Sequence, residues 1–159
     1  MKSKLFIALL VLASHSAFSA DNMTFHGTLV YPPCKVNDGA TIEVPFGNDL
    51  GVNKINGINY LKRVDYKVTC DIGYFLNNLA IELETTSPAA FDNSSINTTS
   101  PGLALKIFVN GRAANFSVPI PIEDTDTLPL IQVVPVKDPA VNLVEGAFEA
   151  TMTLRTDYL

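Results

Sequence analysis

The chain is poor in residues that do chemistry. It has two histidines, and only His26 lies beyond the first twenty positions. A Ser-His-Asp site would have to use His26, and nothing in its spacing supports that. There is no glycine-rich phosphate loop and no cysteine or histidine spacing suited to a metal. No catalytic residue, cofactor site or metal site is therefore expected, and an enzyme is the remotest reading. The acidic run "EDTD" at residues 123–126 is too short for a calcium loop, which needs more oxygen ligands in set positions, and is read as a solvated loop. Positive charge is also scarce, with 11 Lys and Arg against 16 Asp and Glu. Nucleic acid is excluded as a partner, because binding it calls for basic patches. After the first twenty residues no apolar run approaches the ~20 needed to span a bilayer, so direct membrane insertion is not expected. No segment holds a helical period; "TTSPAAFDNSS" has room for one short turn at most.

What is present begins with an export signal. Lys2 and Lys4 precede the apolar run "LFIALLVLA" and the small residues "SHSAFSA". That order of charge, core and small residues marks a secretory leader. Cleavage after Ser19 places Ala17 and Ser19 at the small positions, giving a leader at 1–19 and a mature chain of 140 residues. Without Lys2 and Lys4, nine basic residues face 16 acidic ones, a net charge of −7. The length suits one domain. Cys34 and Cys70 are the only cysteines, and both lie in the exported part. An even count in an oxidising compartment points to one disulfide, two buried thiols being the alternative. The sequons at Asn22, Asn93, Asn97 and Asn115 arise easily in a chain rich in Asn, Ser and Thr, and carry little weight.

The periodicity is that of strands. "VDYKVTC" alternates Val64, Tyr66, Val68 and Cys70 against Asp65, Lys67 and Thr69. "LAIELE" and "LALKIFV" alternate likewise, and "GAFEATMTLRTDYL" sets Phe148, Ala150, Met152 and Leu154 against Glu149, Thr151, Thr153 and Arg155. Such patterns mean sheets with one wet face. Turn formers separate them, including Asn110-Gly111, a candidate two-residue hairpin turn. Pro119, Pro121, Pro129 and Pro135 should confine their strands to edges or interrupt them. Seven or eight short strands in this length read as a β-sandwich.

The ends carry the rest. "MTFHGTL" is a strand-like arm with Met23, Phe25, Gly27 and Leu29 on one face, ahead of Pro32-Pro33. The prolines remove two donors and set the arm apart from the strand that begins near Cys34. At the other end the chain stops with its last strand, at Tyr158-Leu159.

The alternating arm with its glycine, "PPC" followed by "VNDGATIEVPFG", Cys70 and the ending "GAFEATMTLRTDYL" together resemble the pilin subunits of bacterial chaperone–usher fimbriae. In that ending Gly146 is fourteenth from the C-terminus and Tyr158 is penultimate, as in the family's pattern. The "PPC" entry is most similar to minor and tip-adaptor pilins of P-type pili. The resemblance implies an all-β, incomplete immunoglobulin-like sandwich lacking its C-terminal strand, with a donor-strand extension at 20–31 and a pilin domain at 32–159. It implies an acceptor groove and chaperone contact at Gly146, Phe148, Ala150, Met152, Leu154, Tyr158 and Leu159. It implies a periplasmic chaperone that lends a strand and grips the C-terminal carboxylate, an outer-membrane usher, and neighbouring pilin subunits in a surface fimbria. Gly27 would then sit where the recipient's groove is narrow. From pattern alone, "MTFHGTL" reads sooner as an ordinary first strand of a self-contained secreted sandwich, adhesin- or lectin-like, with Gly27 a bulge.

Overall fold

In the computed structural model, residues 23–29, 34–73 and 78–159 are described. The expected leader, residues 20–22 and the Pro32-Pro33 pair lie outside them. Among the described residues eleven short strands form: β1 (Cys34–Val36), β2 (Lys62–Val64), β3 (Val68–Cys70), β4 (Leu79–Glu84), β5 (Pro88–Ala89), β6 (Asp92–Asn97), β7 (Leu103–Val109), β8 (Arg112–Ala113), β9 (Ile120–Pro121), β10 (Ile131–Lys137) and β11 (Thr153–Tyr158). The larger sheet has the order β2-β10-β7-β6-β5, with β8 hydrogen-bonded to β7. The second has the order β11-β4-β9, and β1 and β3 form a separate ladder. Every pairing is antiparallel. One core fills the space between the sheets. Ile96, Leu105, Ile107, Ile131 and Val133 come from the larger sheet and Leu79, Ile81 and Leu83 from β4.

The alternation over residues 64–70 is present, but as two strands rather than one. Val64 ends β2 against β10, and Val68 begins β3 against β1. Between them Tyr66 donates its hydroxyl hydrogen to the Pro129 carbonyl at 2.7 Å. The run therefore crosses from one sheet to the other. Asn110-Gly111 turns the β7–β8 hairpin, with φ of 49° and 75°, the doubly positive pair such turns require.

Three expectations fail for tertiary reasons. β4 was expected to keep one face wet, yet Ala80 is fully buried and Glu82 nearly so. β4 lies between β11 and β9, and the Arg155 guanidinium covers Glu82 with an ion pair at 2.8 Å. The polar segment "DNSSIN", which was not among the expected strands, is β6, a ladder partner of both β5 and β7. Neighbours on both sides override its poor strand propensity. Pro135 was expected at an edge or an interruption, but it lies within β10 opposite Leu105. β2 reaches only the Val133–Lys62 pair, so at Pro135 one side of β10 has no partner to lose. β9, with Pro121, is an edge strand as expected.

The Asp92–Lys106 pair, 2.8 Å apart, ties β6 to β7. Burial pushes the Asp92 carboxyl up, but the Lys106 ammonium and the Ser94 amide outweigh it and hold it below the usual carboxylate range. A carboxylate held low only in the folded chain adds stability above about pH 4, lost as pH falls through the folded pKa. Wild type should therefore exceed Asp92→Asn in unfolding midpoint at neutral pH and converge with it below about pH 4. An equal gap at both ends of the titration would mean the pair contributes nothing.

Candidate functional site

The disulfide joins Cys34 of β1 to Cys70 of β3, directly opposite in the ladder. It closes 36 positions, worth roughly 3–4 kcal/mol by chain entropy. Guanidinium unfolding of the oxidised and reduced chains should differ by about that amount; equal midpoints would show that the ladder holds without it.

From β1 the chain runs on through an extended segment, residues 41–46, that joins no ladder. Ile42, Val44 and Phe46 are half-buried against the core, while Thr41, Glu43 and Pro45 face out. Across from it, residues 147–152 lead into β11, again extended and outside any ladder. Phe148, Ala150 and Met152 pack on the core, as does Leu154 in β11. The Phe46 and Phe148 rings meet at 5.9 Å between centroids, tilted by 50°. At the far end the Thr156 hydroxyl donates to the Cys34 carbonyl at 2.6 Å, and the Tyr158 hydroxyl lies 3.5 Å from Cys34 Sγ. Two apolar edges thus face one another, joined by side chains rather than by a ladder.

Backbone parity shows what this edge offers. β11 is the outermost strand of its sheet. In an antiparallel ladder the N–H and C=O of one residue point the same way and alternate along the strand. The Leu159 N–H donates to the Asn78 carbonyl, and Glu149 exchanges hydrogen bonds with Thr99, so the odd-numbered residues point inward. The even-numbered ones point outward. Among the described residues, the amides and carbonyls of Phe148, Ala150 and Met152 take no partner. Unpaired edge groups over half-buried apolar side chains are a template for an added strand.

Opposing this edge, on the outer face, Arg155 holds β11 to β4. Its guanidinium contacts Glu82 at 2.8 Å and Glu84 and Asp157 at 2.9 Å. Desolvation alone would lower its pKa, but the three carboxylates outweigh that and raise it. Tyr158 is half-buried and Leu159 exposed. The groove's open end, beside Phe148 and Gly146, widens into a cavity of about 690 Å³ lined by Leu50, Val52, Ile55, Leu103 and Leu143 among others.

The arm lies apart. Met23, Phe25 and Leu29 are 82%, 86% and 102% exposed, and residues 23–29 join no sheet. Of these two apolar edges, the sequence reading named the one with Phe148, Ala150, Met152 and Leu154 and did not name the one with Ile42, Val44 and Phe46. The alternation of Ile42, Val44 and Phe46 was the available signal.

The family model described as "Fimbrial protein" matches residues 23–159. The chain belongs to the fimbrial protein family. Fimbrial-like protein YfcQ of Escherichia coli K12 is 37% identical over 160 residues, covering 98% of each chain. Fimbrial-like protein YfcR of the same organism is 27% identical over 133 residues, 80% of this chain and 74% of its own. The fold is similar to that of the P pilus rod subunit PapA, with a TM-score of 0.61 at 20% identity, over 86% of this chain and 99% of PapA. It is similar to the P pilus adaptor subunit PapF, with a TM-score of 0.57 at 20% identity, over 82% and 98%. The protein is accordingly a fimbrial subunit with the immunoglobulin-like fold of pilus subunits, and its work is structural rather than enzymatic.

Proposed function

We propose that this fimbrial subunit polymerises by donor-strand exchange. The observation that carries the reading is the pairing of opposites in one chain: a sheet edge whose backbone is unpaired among the described residues, over an apolar groove, and a detached apolar arm. A strand laid on Phe148, Ala150, Met152 and Leu154 continues the antiparallel order of β4 and β11. Met23, Phe25 and Leu29 each contribute roughly 1.5–3 kcal/mol when fully buried. Main-chain bonds add affinity, and alternate side chains add specificity.

Before assembly a periplasmic chaperone occupies the groove and grips the carboxylate beyond Tyr158-Leu159, and an outer-membrane usher exchanges it for the next subunit's arm. The leader at 1–19 delivers the chain to that compartment, and the fibre stands on the cell surface. The "PPC" entry favours a minor or adaptor position supporting adhesion; the likeness to both an adaptor and a rod subunit is compatible with it. A self-contained adhesin-like sandwich is the weaker reading, because an ordinary first strand would sit in its own sheet.

Periplasmic expression of the mature chain tests this. Alone it should aggregate or be degraded; with its chaperone it should purify as a one-to-one complex. A durable monomer in the absence of any chaperone would overturn the reading.

A further inference from the structure

A second concave site lies away from the groove. It is a crevice of about 420 Å³ between residues 63–67, which carry the chain from β2 to β3, and residues 125–131, which lead into β10. None of its lining residues belongs to the groove or to the cavity at the groove's end. Its walls are pinned on both sides. The Tyr66 hydroxyl donates to the Pro129 carbonyl at 2.7 Å, and Val64 lies opposite Ile131 in the β2–β10 ladder. The Leu130 amide donates to Asn110 Oδ1 at 2.8 Å, and the Leu130 carbonyl accepts from the Asn110 amide at 2.8 Å. The Asp124 carboxylate accepts from the Asp126 amide at 2.9 Å and shapes the turn that follows β9. A crevice held in this way has little freedom left to lose on binding.

Its charge runs against that of the whole chain. Arg63 and Lys67 line it with one carboxylate, that of Asp126, in a chain with more acid than base. Each cation touches an acid that does not line the crevice: Arg63 Nε lies 3.1 Å from Asp65, and Lys67 pairs with Asp38. All four side chains are more than half exposed, so these pairs are weak and yield to a better-placed anion. The Thr125 and Thr127 hydroxyls and the Asp126 carboxylate take no partner among the described residues. Val64, Tyr66, Leu128 and Pro129 supply apolar surface between the polar groups.

These groups select one kind of ligand. A bare anion would engage the two cations but be repelled by Asp126. A neutral sugar would engage Asp126 and the threonines but leave both cations unused. We propose that the crevice binds a carboxylated monosaccharide of the hexuronate class. Arg63 and Lys67 take its carboxylate through charge-assisted hydrogen bonds. Asp126 accepts from its ring hydroxyls, and Thr125 and Thr127 complete the polar contacts. The C–H face of the ring rests on the apolar residues. The volume lies in the lower part of the roughly 300–1,000 Å³ span of small-ligand sites, as a single sugar ring requires. Binding here does not use strand exchange, and every subunit of a fibre carries one such site.

The test uses the full mature chain as it purifies, with or without a chaperone, and D-glucuronate, D-glucose and sulfate as probes. In amide NMR spectra glucuronate should shift Arg63, Lys67 and residues 125–127 saturably, with glucose and sulfate at least about 10-fold weaker. Arg63→Gln and Lys67→Gln should each weaken glucuronate by about 10-fold, the loss of one hydrogen bond to a charged group. Asp126→Asn separates a sugar from a plain anion, because it should weaken glucuronate and tighten sulfate. All three side chains are exposed, and an unchanged unfolding midpoint in each variant excludes misfolding. Sulfate binding as tightly as glucuronate would show a bare anion site, and glucose doing so would show that the cations play no part. Either result overturns the proposal, as does the absence of saturable glucuronate binding. None of them bears on the strand-exchange reading, whose residues lie elsewhere.

Discussion

Appending a second copy of residues 20–29 after Leu159, through a short polar linker, is expected to turn a chaperone-dependent chain into a stable monomer. The appended strand folds back along β11 and meets the outward amides and carbonyls of Phe148, Ala150 and Met152. Three large apolar side chains at roughly 1.5–3 kcal/mol each give about 5–9 kcal/mol before ordering costs. Held in cis, the strand meets its site at millimolar effective concentration. For a chain of this size, the unfolding midpoint should rise by on the order of 20 °C relative to the same chain carrying a scrambled strand. Calorimetry reads the shift directly. Equal midpoints for the two strands would show that the groove is not a strand-shaped vacancy.

The second large effect concerns the arm as donor. Deleting residues 21–29 should leave the groove, the disulfide and chaperone capture intact, because the arm's apolar residues are exposed and residues 23–29 join no sheet. Insertion into the preceding subunit should fall by about a thousandfold or more, since the deletion removes at least ~4 kcal/mol of burial and every ladder bond. Incorporation into fibres, counted by antibody labelling, separates the two halves of the joint. Full incorporation of the deleted chain would sink the donor role; lost chaperone capture would show that the arm also supports the chain's own fold.

The two experiments probe opposite ends of one chain, and those ends differed in how far they could be read beforehand. The alternation of Phe148, Ala150, Met152 and Leu154 was plain, and these residues do face the core. The hairpin at Asn110-Gly111 was equally plain, because doubly positive φ is a local demand that few residues meet. By contrast, β6 was invisible in "DNSSIN", whose strand state comes from the flanking ladders of β5 and β7. The burial of Glu82 was equally hidden, because it depends on Arg155, 73 positions away in the chain.

By itself, the sequence determined an acidic, all-β chain with one disulfide, an apolar arm and an apolar final strand. These follow from composition and from a period of two, which are properties of neighbouring residues. Only the tertiary structure decided that residues 41–46 and 147–152 face each other without a ladder between them, and that among the described residues the outward backbone groups of Phe148, Ala150 and Met152 lack partners. Whether a strand has a neighbour is a relation between segments about a hundred residues apart, and no local pattern records it.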